Sequence, residues 1–540
     1  MFVLVYICRL IILRLFTVTT PAPRESKEHK LVRARYITPF DKTNSKKVID
    51  DGYILTEGPR VLEVGQYTPD IGRALIARYS NSLEVVDPSD NLSDPVTMSD
   101  AVIMPSPKLG HTHHHEALLT GRFRNDDLLA WLDHAINPLT LWMYQMNEGM
   151  RTGNWADPSH ETIARRLGKS PYDIVFAKTL HDQLRYGAGF IVVHHCNFTK
   201  YDGPVDAVVA LLERSKARAI VFPGAQDRFY KPDFLLDLDP QAAAARIREQ
   251  VRRHSGNRWA TVMPGADQIF SNTESLLRAL KGVAREMEIE LGREVFFHVH
   301  SSENAGETRL VLDTTGLTPT GYAEKAGILD ERTIIAHQVH NSPADIEILR
   351  SHRVKIVSNP SANGSLFSGI APVHLFLENG IPVAYSTDGS GSSDHQDAFA
   401  VMYVGVMMNR GFGQDAAKLL TDHQALQMIL TTPARIYNLN ADSLEPGKDA
   451  TFIVYDISPD SNPAIIPHSA DTIFGKLVFC DPSGIHVTHS LSMGEWTVQD
   501  SQVVTMDVNT VMGDIARLDE IYWNEVYPTL KVSMGTGTGK

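Results

Sequence analysis

The residues whose types and spacing could do chemistry sit in a few short phrases. His111-Thr112-His113 follows the run IMPSPKLG. Residues two apart on a strand face the same side, so both imidazoles can grip one ion. The run continues as HTHHH, which makes His114 and His115 further candidates, although an isolated histidine-rich patch could equally be a solvated loop. His300-Ser301-Ser302-Glu303 follows EVFFHV. A third imidazole there suits a borderline-soft ion such as zinc. A carboxylate held nearby but off the metal can exchange protons with water and substrate. His337 closes TIIAH and Asp388 closes VAYSTDG. A buried carboxylate after an apolar strand is costly unless a cation or a histidinium faces it. His298 reads as a packed core histidine with a hydrogen-bond partner. His194 and His195 end the run IVVHHCN, either lining a pocket or bonded to backbone.

The elements that must position these residues are read from periodicity. Eight short apolar runs recur: 101–105, 189–193, 217–222, 259–263, 295–300, 333–336, 354–357 and 382–385. Periodic stretches lie between them, such as 126–142, 171–186, 241–254, 274–291 and 345–352. Buried strands alternating with helices point to an α/β fold, a (β/α)8 barrel of the TIM type, whose active sites form at the carboxyl ends of the strands. A doubly wound sheet competes less well, because no glycine-rich phosphate turn opens the first helix. Short strands before and after this middle (31–38, 52–56, 60–64, then 449–455, 476–480 and 485–490) predict a small composite β-sandwich domain formed by both chain flanks. The expected organisation is a leader and linker over 1–30, the composite β domain over 31–97 and 440–506, the hydrolase barrel over 98–439, and a C-terminal tail over 507–540.

Composition narrows the function classes. The chain has 540 residues, 43% hydrophobic and 21% charged, the balance of a globular protein with a sizeable core. Its 51 basic and 64 acidic residues give a net charge of −13, which argues against nucleic acid as a partner. Three cysteines cannot make a disulfide framework and favour a reducing, cytoplasmic compartment. The first eighteen residues are apolar, but Arg9 and Arg14 interrupt them and no basic stretch precedes them. That argues against a membrane span, and leaves signal, anchor and plain leader open.

The phrases HTHHHEALLTG, DDLLAWLDHAINPL, HVHSSE, TIIAHQVH, NPSANGSLFSGIAP, STDG and SLEPGKDATFIVYD occur in this order. Together they resemble the amidohydrolase superfamily, in the branch of guanine deaminase, nucleoside deaminases and triazine hydrolases. The resemblance covers about Leu31 to Val504. It implies that His111, His113, His300 and Asp388 bind metal. It implies that Glu303, His337 and Asp388 move protons. Strand four carries no lysine of the kind that bridges two metals elsewhere in the superfamily, so one divalent ion is expected, Zn2+ first and Fe2+ second. The implied reaction is release of ammonia from an amino-substituted N-heterocycle by attack of metal-bound hydroxide. The alternatives are hydrolysis of another C–N or C–Cl bond, in a triazine-type ring or cyclic amide, and, last, a non-catalytic scaffold. Homodimers are common in the family and are expected by analogy. Two departures bear on the substrate: Ser358 stands where strand seven usually has a histidine, and MPSPKLG replaces a glycine-rich turn before strand one. His194 and Asn363 are candidate substrate contacts, and Ser361 could position the loop after strand seven.

Overall fold

In a computed structural model the described residues are 27–86, 100–196, 203–228, 235–412, 418–462 and 470–534. The apolar leader lies outside them. Five strands come first: β1 (His29–Ile37), β2 (Ile49–Glu57), β3 (Arg60–Gln66), β4 (Leu83–Val86) and β5 (Ala101–Pro105). Nine follow in the middle: β6 (Lys108–Thr112), β7 (Phe190–Cys196), β8 (Ala219–Ala225), β9 (Ala260–Val262), β10 (Gly265–Gln268), β11 (Phe297–Ser301), β12 (Thr333–His337), β13 (Lys355–Ser358) and β14 (Val383–Tyr385). Among the described residues four more strands follow the middle: β15 (Phe452–Asp456), β16 (Val487–Ser492), β17 (Glu495–Gln499) and β18 (Gln502–Val503).

The middle strands form one parallel sheet in the order β6-β7-β8-β10-β11-β12-β13-β14, with β9 beside β8. β9 and β10 make a single stave broken at Pro264, which cannot donate to the ladder. Ser386, just past β14, reaches across to β6: its hydroxyl accepts from His111 N at 3.0 Å and donates to His111 O at 2.7 Å. Eight staves are thereby drawn into a nearly closed barrel with helices between them.

The first of the eight predicted strands is corrected. Ala101–Pro105 is not a barrel stave; it pairs with β1 and β15 in the other sheet, and the barrel begins at Lys108–Thr112. The cause is burial on both faces. Val102 and Met104 join the main core, while Ala101 and Ile103 join the core of the second sheet. A strand covered on both sides reads as an unbroken apolar run, whichever sheet owns it. Lys476–Cys480 is also corrected: the segment Ile473–Phe479 is helical and buries Ile473, Phe474, Leu477 and Val478. Four buried positions spaced i, i+1, i+4, i+5 are a helical face that a short apolar run conceals.

The second sheet runs β18-β17-β16-β15-β5-β1-β2-β3, with β4 on β1. Both ends of the chain therefore contribute to one hydrogen-bonded sheet. The tail after Met506 is helical over Val508–Ile521, capped by the Asp507 side chain, and continues through a π turn to Met534. Tyr522, fully buried, packs its ring 5.2 Å from that of Trp142. Among the described residues no helix is long and apolar enough to cross a membrane.

β16 and β17 are joined by the two residues Met493 and Gly494, both with positive φ (49° and 84°), as a tight hairpin of matching twist requires. A Cβ on Gly494 would stand 2.1 Å from the Gly58 carbonyl oxygen, which is backbone and has little room to yield. Gly494→Ala is expected to cost about 1–3 kcal/mol or more of stability. Denaturant unfolding measures it, and a variant as stable as the parent contradicts this account of the turn.

Candidate active site

His111 and His113 leave the end of β6, His300 is the penultimate residue of β11, His337 ends β12, and Asp388 follows β14 by three residues. All five are buried. Parallel staves deliver their carboxyl ends to one rim, so residues 277 positions apart in sequence meet there: Asp388 Oδ1 lies 3.3 Å from His111 Nε2 and 3.2 Å from His113 Nε2. His113 Nε2 lies 3.1 Å from His300 Nε2.

The outer nitrogens of these rings decide what the inner ones present. His113 Nδ1 donates to the His194 carbonyl at 2.9 Å, and His300 Nδ1 donates to the Asp267 carbonyl at 2.5 Å. A carbonyl can only accept, so both Nδ1 atoms carry hydrogen and both Nε2 atoms are lone pairs. Tyr437 donates its hydroxyl hydrogen to the Gly110 carbonyl, leaving its oxygen to accept from His298 Nδ1 at 3.5 Å. His298 Nε2 then accepts from His111 Nδ1 at 2.9 Å, and His111 Nε2 is a lone pair too. Burial, reinforced by the neighbouring rings, holds His300 well below the usual histidine range, and burial pushes His111 down to about 3. These rings are neutral and aim lone pairs at one another and at a carboxylate. His111 Nε2 and Asp388 Oδ1 are buried without a hydrogen-bond partner. Donors of a tetrahedral zinc site at ~2.0–2.1 Å from the ion stand about 3.3 Å apart, close to the three spacings given above. The donor set fits a divalent cation.

Next to these rings lies a cavity lined by Glu303, His337 and Asp388 together with His113 and His300. His337 Nε2 is 3.6 Å from Glu303 Oε2 and 3.9 Å from Asp388 Oδ2. Burial, then the charges of Asp388 and Glu307, raises the Glu303 carboxyl well above its ordinary range. Burial also works to raise Asp388; a proton on the facing His111 and His113 nitrogens, or a cation in its place, pulls it well below its ordinary range. The two carboxyls are thus driven apart, one towards acid and one towards base.

Both are held by buried glutamates that sequence reasoning missed. Glu307 accepts from the backbone N–H groups of Ser302 and Glu303, each at 2.9 Å, and of Asn304 at 3.4 Å. Glu116 accepts from Gly391 N at 3.2 Å and Ser392 Oγ at 3.4 Å. A Cβ on Gly389 would meet the Glu116 carboxylate at 1.9 Å, so glycine is required directly after Asp388. Ser302, His337 and Asp388 all have left-handed backbone, with φ of 54°, 73° and 63°. Such strain in non-glycine residues persists only where the surroundings impose it. The available signal for Glu307 was its place one helical turn after Glu303, where a capping box forms with Asn304.

The candidate substrate contacts do not reach the cavity wall. His194 is fully buried behind the ligating rings, 4.5 Å from the His300 ring centroid. Asn363 Oδ1 accepts from His337 Nδ1 at 2.8 Å. His114 pairs with Gln183 Oε1 at 2.9 Å, away from the rings, whereas His115 lines the cavity. The rest of the wall was not anticipated: Leu128, Trp131, Leu132, Phe270 and Leu366 are apolar, and Asn137, Gln226, Asp267 and Gln268 are polar.

With this geometry in hand, comparison with known proteins is informative. Curated 5-methylthioadenosine/S-adenosylhomocysteine deaminases of Bacillus cereus and Bacillus thuringiensis are 26% identical over 479 residues, covering 87% of this chain and 94% of theirs. Among solved structures, atrazine chlorohydrolase from Arthrobacter aurescens complexed with zinc is similar at a TM-score of 0.74, with 17% identity over 91% of this chain and 100% of that one. Guanine deaminase from C. acetobutylicum with bound guanine is similar at 0.70, with 17% identity over 87% and 99%. An adenosine deaminase from Xanthomonas campestris with bound zinc is similar at 0.68, with 18% identity over 95% and 100%. The amidohydrolase family model matches residues 110–479, well over half of the sequence, and the chain belongs to the amidohydrolase family.

Proposed function

We propose that the protein is a metal-dependent deaminase that hydrolyses the amino group from a ring carbon of a small N-heterocycle and releases ammonia. The observation that carries this reading is the meeting of Glu303, His337 and Asp388 on one cavity, beside three imidazoles whose lone pairs converge. The deaminase relatives, matched over most of their length, support it.

His111, His113, His300 and Asp388 would hold one divalent ion, with zinc the first choice and iron the second. Such an ion supplies Lewis acidity, bringing the pKa of a water from 15.7 towards ~7. The remaining work falls to the side chains. Asp388, held ionised, takes the proton of the attacking water on Oδ2, the oxygen that faces His337. Glu303, held protonated, gives its proton to the ring nitrogen beside the reacting carbon, so that negative charge does not accumulate there. Asn363 fixes the His337 tautomer: with Nδ1–H given to the amide oxygen, Nε2 is left to accept from the water or the departing amino group. Ammonia is a poor leaving group and needs a proton as it departs. The newly protonated Asp388 can supply it, and the deprotonated Glu303 recovers its proton from the hydroxyl left on the ring carbon as the carbonyl forms; this favours deamination over loss of chloride, which needs no proton.

Glu303→Gln keeps the shape of the side chain and removes its acid. It is expected to retain the metal and lose about 10²–10⁴-fold in kcat for ammonia release. Full activity in the metal-loaded variant refutes the assigned role. Elemental analysis of the purified parent is expected to return close to one divalent ion per chain, with His113→Ala losing it and a strong chelator abolishing ammonia release. A stoichiometry near two overturns the single-ion assignment.

A further inference from the structure

One stretch of helix supplies much of the cavity wall: Leu128, Trp131, Leu132, Ile136 and Asn137 all line it. A regular helix could not present all five. Nine steps of about 100° would carry Asn137 about 180° away from Leu128. The helix is not regular. It is α over Leu128–Trp131, π over Leu132–Ile136, and α again from Asn137 to Thr152. A π turn absorbs one residue. Ile136 and Asn137 then take the places of i+7 and i+8 and fall in line with Leu128, Trp131 and Leu132 at i, i+3 and i+4. The irregularity brings a polar side chain onto an otherwise apolar stripe.

That stripe carries two donors with nothing to donate to. The indole Nε1–H of Trp131, a residue only 4% exposed, has no hydrogen-bond partner, and neither has the Asn137 Nδ2. Gln268, from β10, lines the same cavity, is 7% exposed, and has its Oε1 without a partner. Trp131 can only donate, so an acceptor must come from elsewhere. Buried polar groups left unpaired are destabilising and rare, and three residues that line one cavity each carry one, a set that a ligand with the complementary pattern would pair as these side chains turn to meet it. Two donors and one acceptor complement a cyclic amide edge: the carbonyl oxygen has two lone pairs, and the adjacent ring N–H supplies the donor. Leu128, Leu132, Phe270 and Leu366 offer apolar surface for a flat ring.

We propose that Trp131, Asn137 and Gln268 select the substrate, and that it is an amino-heterocycle with a lactam edge, the ring carbonyl and its neighbouring N–H lying away from the carbon that loses its amino group. This rests on the deaminase reading above. The experiment measures ammonia release by the metal-loaded protein on matched pairs of amino-purines, amino-pyrimidines and amino-triazines. Within each pair one member has the C(=O)–NH edge and the other has a C–H in place of the carbonyl. The parent is expected to favour the lactam member by about 10–100-fold in kcat/KM. Trp131→Phe and Asn137→Leu are each expected to reduce that preference about tenfold, mainly through KM. Damage to the fold alone would lower both members equally and leave the ratio in place. Equal kcat/KM for paired members in the parent, or a ratio unmoved in both variants, overturns the inference. Asn137 is only half-buried, so Asn137→Leu carries the variant test if Trp131→Phe fails to fold, and the parent's own ratio needs no variant. Ammonia from neither member of any pair sinks the deaminase reading itself, whereas ammonia without preference sinks only the lactam assignment.

Discussion

The structure is organised around an electrostatic conflict. Three neutral imidazoles and a carboxylate are buried with their electron pairs turned inward at 3.1–3.3 Å, and no hydrogen is available to go between them. In water such groups would separate. Here they cannot, because each imidazole is tied from behind: His113 and His300 by backbone carbonyls, His111 by the His298–Tyr437 relay. A cation relieves the conflict, and the protein carries its cost in advance by way of the barrel's packing. The parallel topology makes this possible, since only converging strand ends bring residues so distant in sequence to one rim.

The same logic extends outward from the rings. Glu303 and Asp388 lie on loops, not on the staves, and loops alone would leave their carboxyls loosely placed. Each loop is clamped by a second, buried glutamate that faces backbone N–H groups, Glu307 on one side and Glu116 on the other. Left-handed backbone at Ser302, His337 and Asp388 shows that the loops are held against their own conformational preference. Rigid placement of this kind lets opposite pKa shifts on neighbouring carboxyls serve as a fixed acid and a fixed base.

How much of this was legible in the sequence follows from what each feature depends on. The strand ends were readable, because a histidine or aspartate closing an apolar run breaks the pattern where a barrel places its rim. Ala101–Pro105 was misplaced because burial on both faces erases the alternation that would have tied it to its own sheet. His194 and Asn363 were read as candidate substrate contacts; one stands beside the His300 ring and the other against His337, a placement that sequence, which gives a side chain's neighbourhood but not its direction, does not carry. Least legible was the cavity wall. A period of 3.6 residues puts Leu128 and Asn137 on opposite faces, and nothing in LLAWLDHAIN announces that one residue will be taken up by a π turn.

That turn is met by residues far away in the chain. The C-terminal helices pack on the wall helix and on the segment before it. Tyr522 packs on Trp142, Trp523 donates its indole N–H to the Leu118 carbonyl at 3.2 Å, and the Tyr527 hydroxyl donates to the His134 carbonyl, inside the π turn itself, at 3.4 Å. A π turn disrupts the regular carbonyl ladder, and an outside donor that meets a carbonyl within it offsets part of the penalty. Ion pairs from Arg166 to Glu525 and from Lys169 to Asp514 lie along the same contact, but they are largely exposed and add little. The packed aromatics therefore dominate this brace. The C-terminal helices thus support the cavity wall without lining it, while the chemistry is set from the opposite direction, by the converging strand ends.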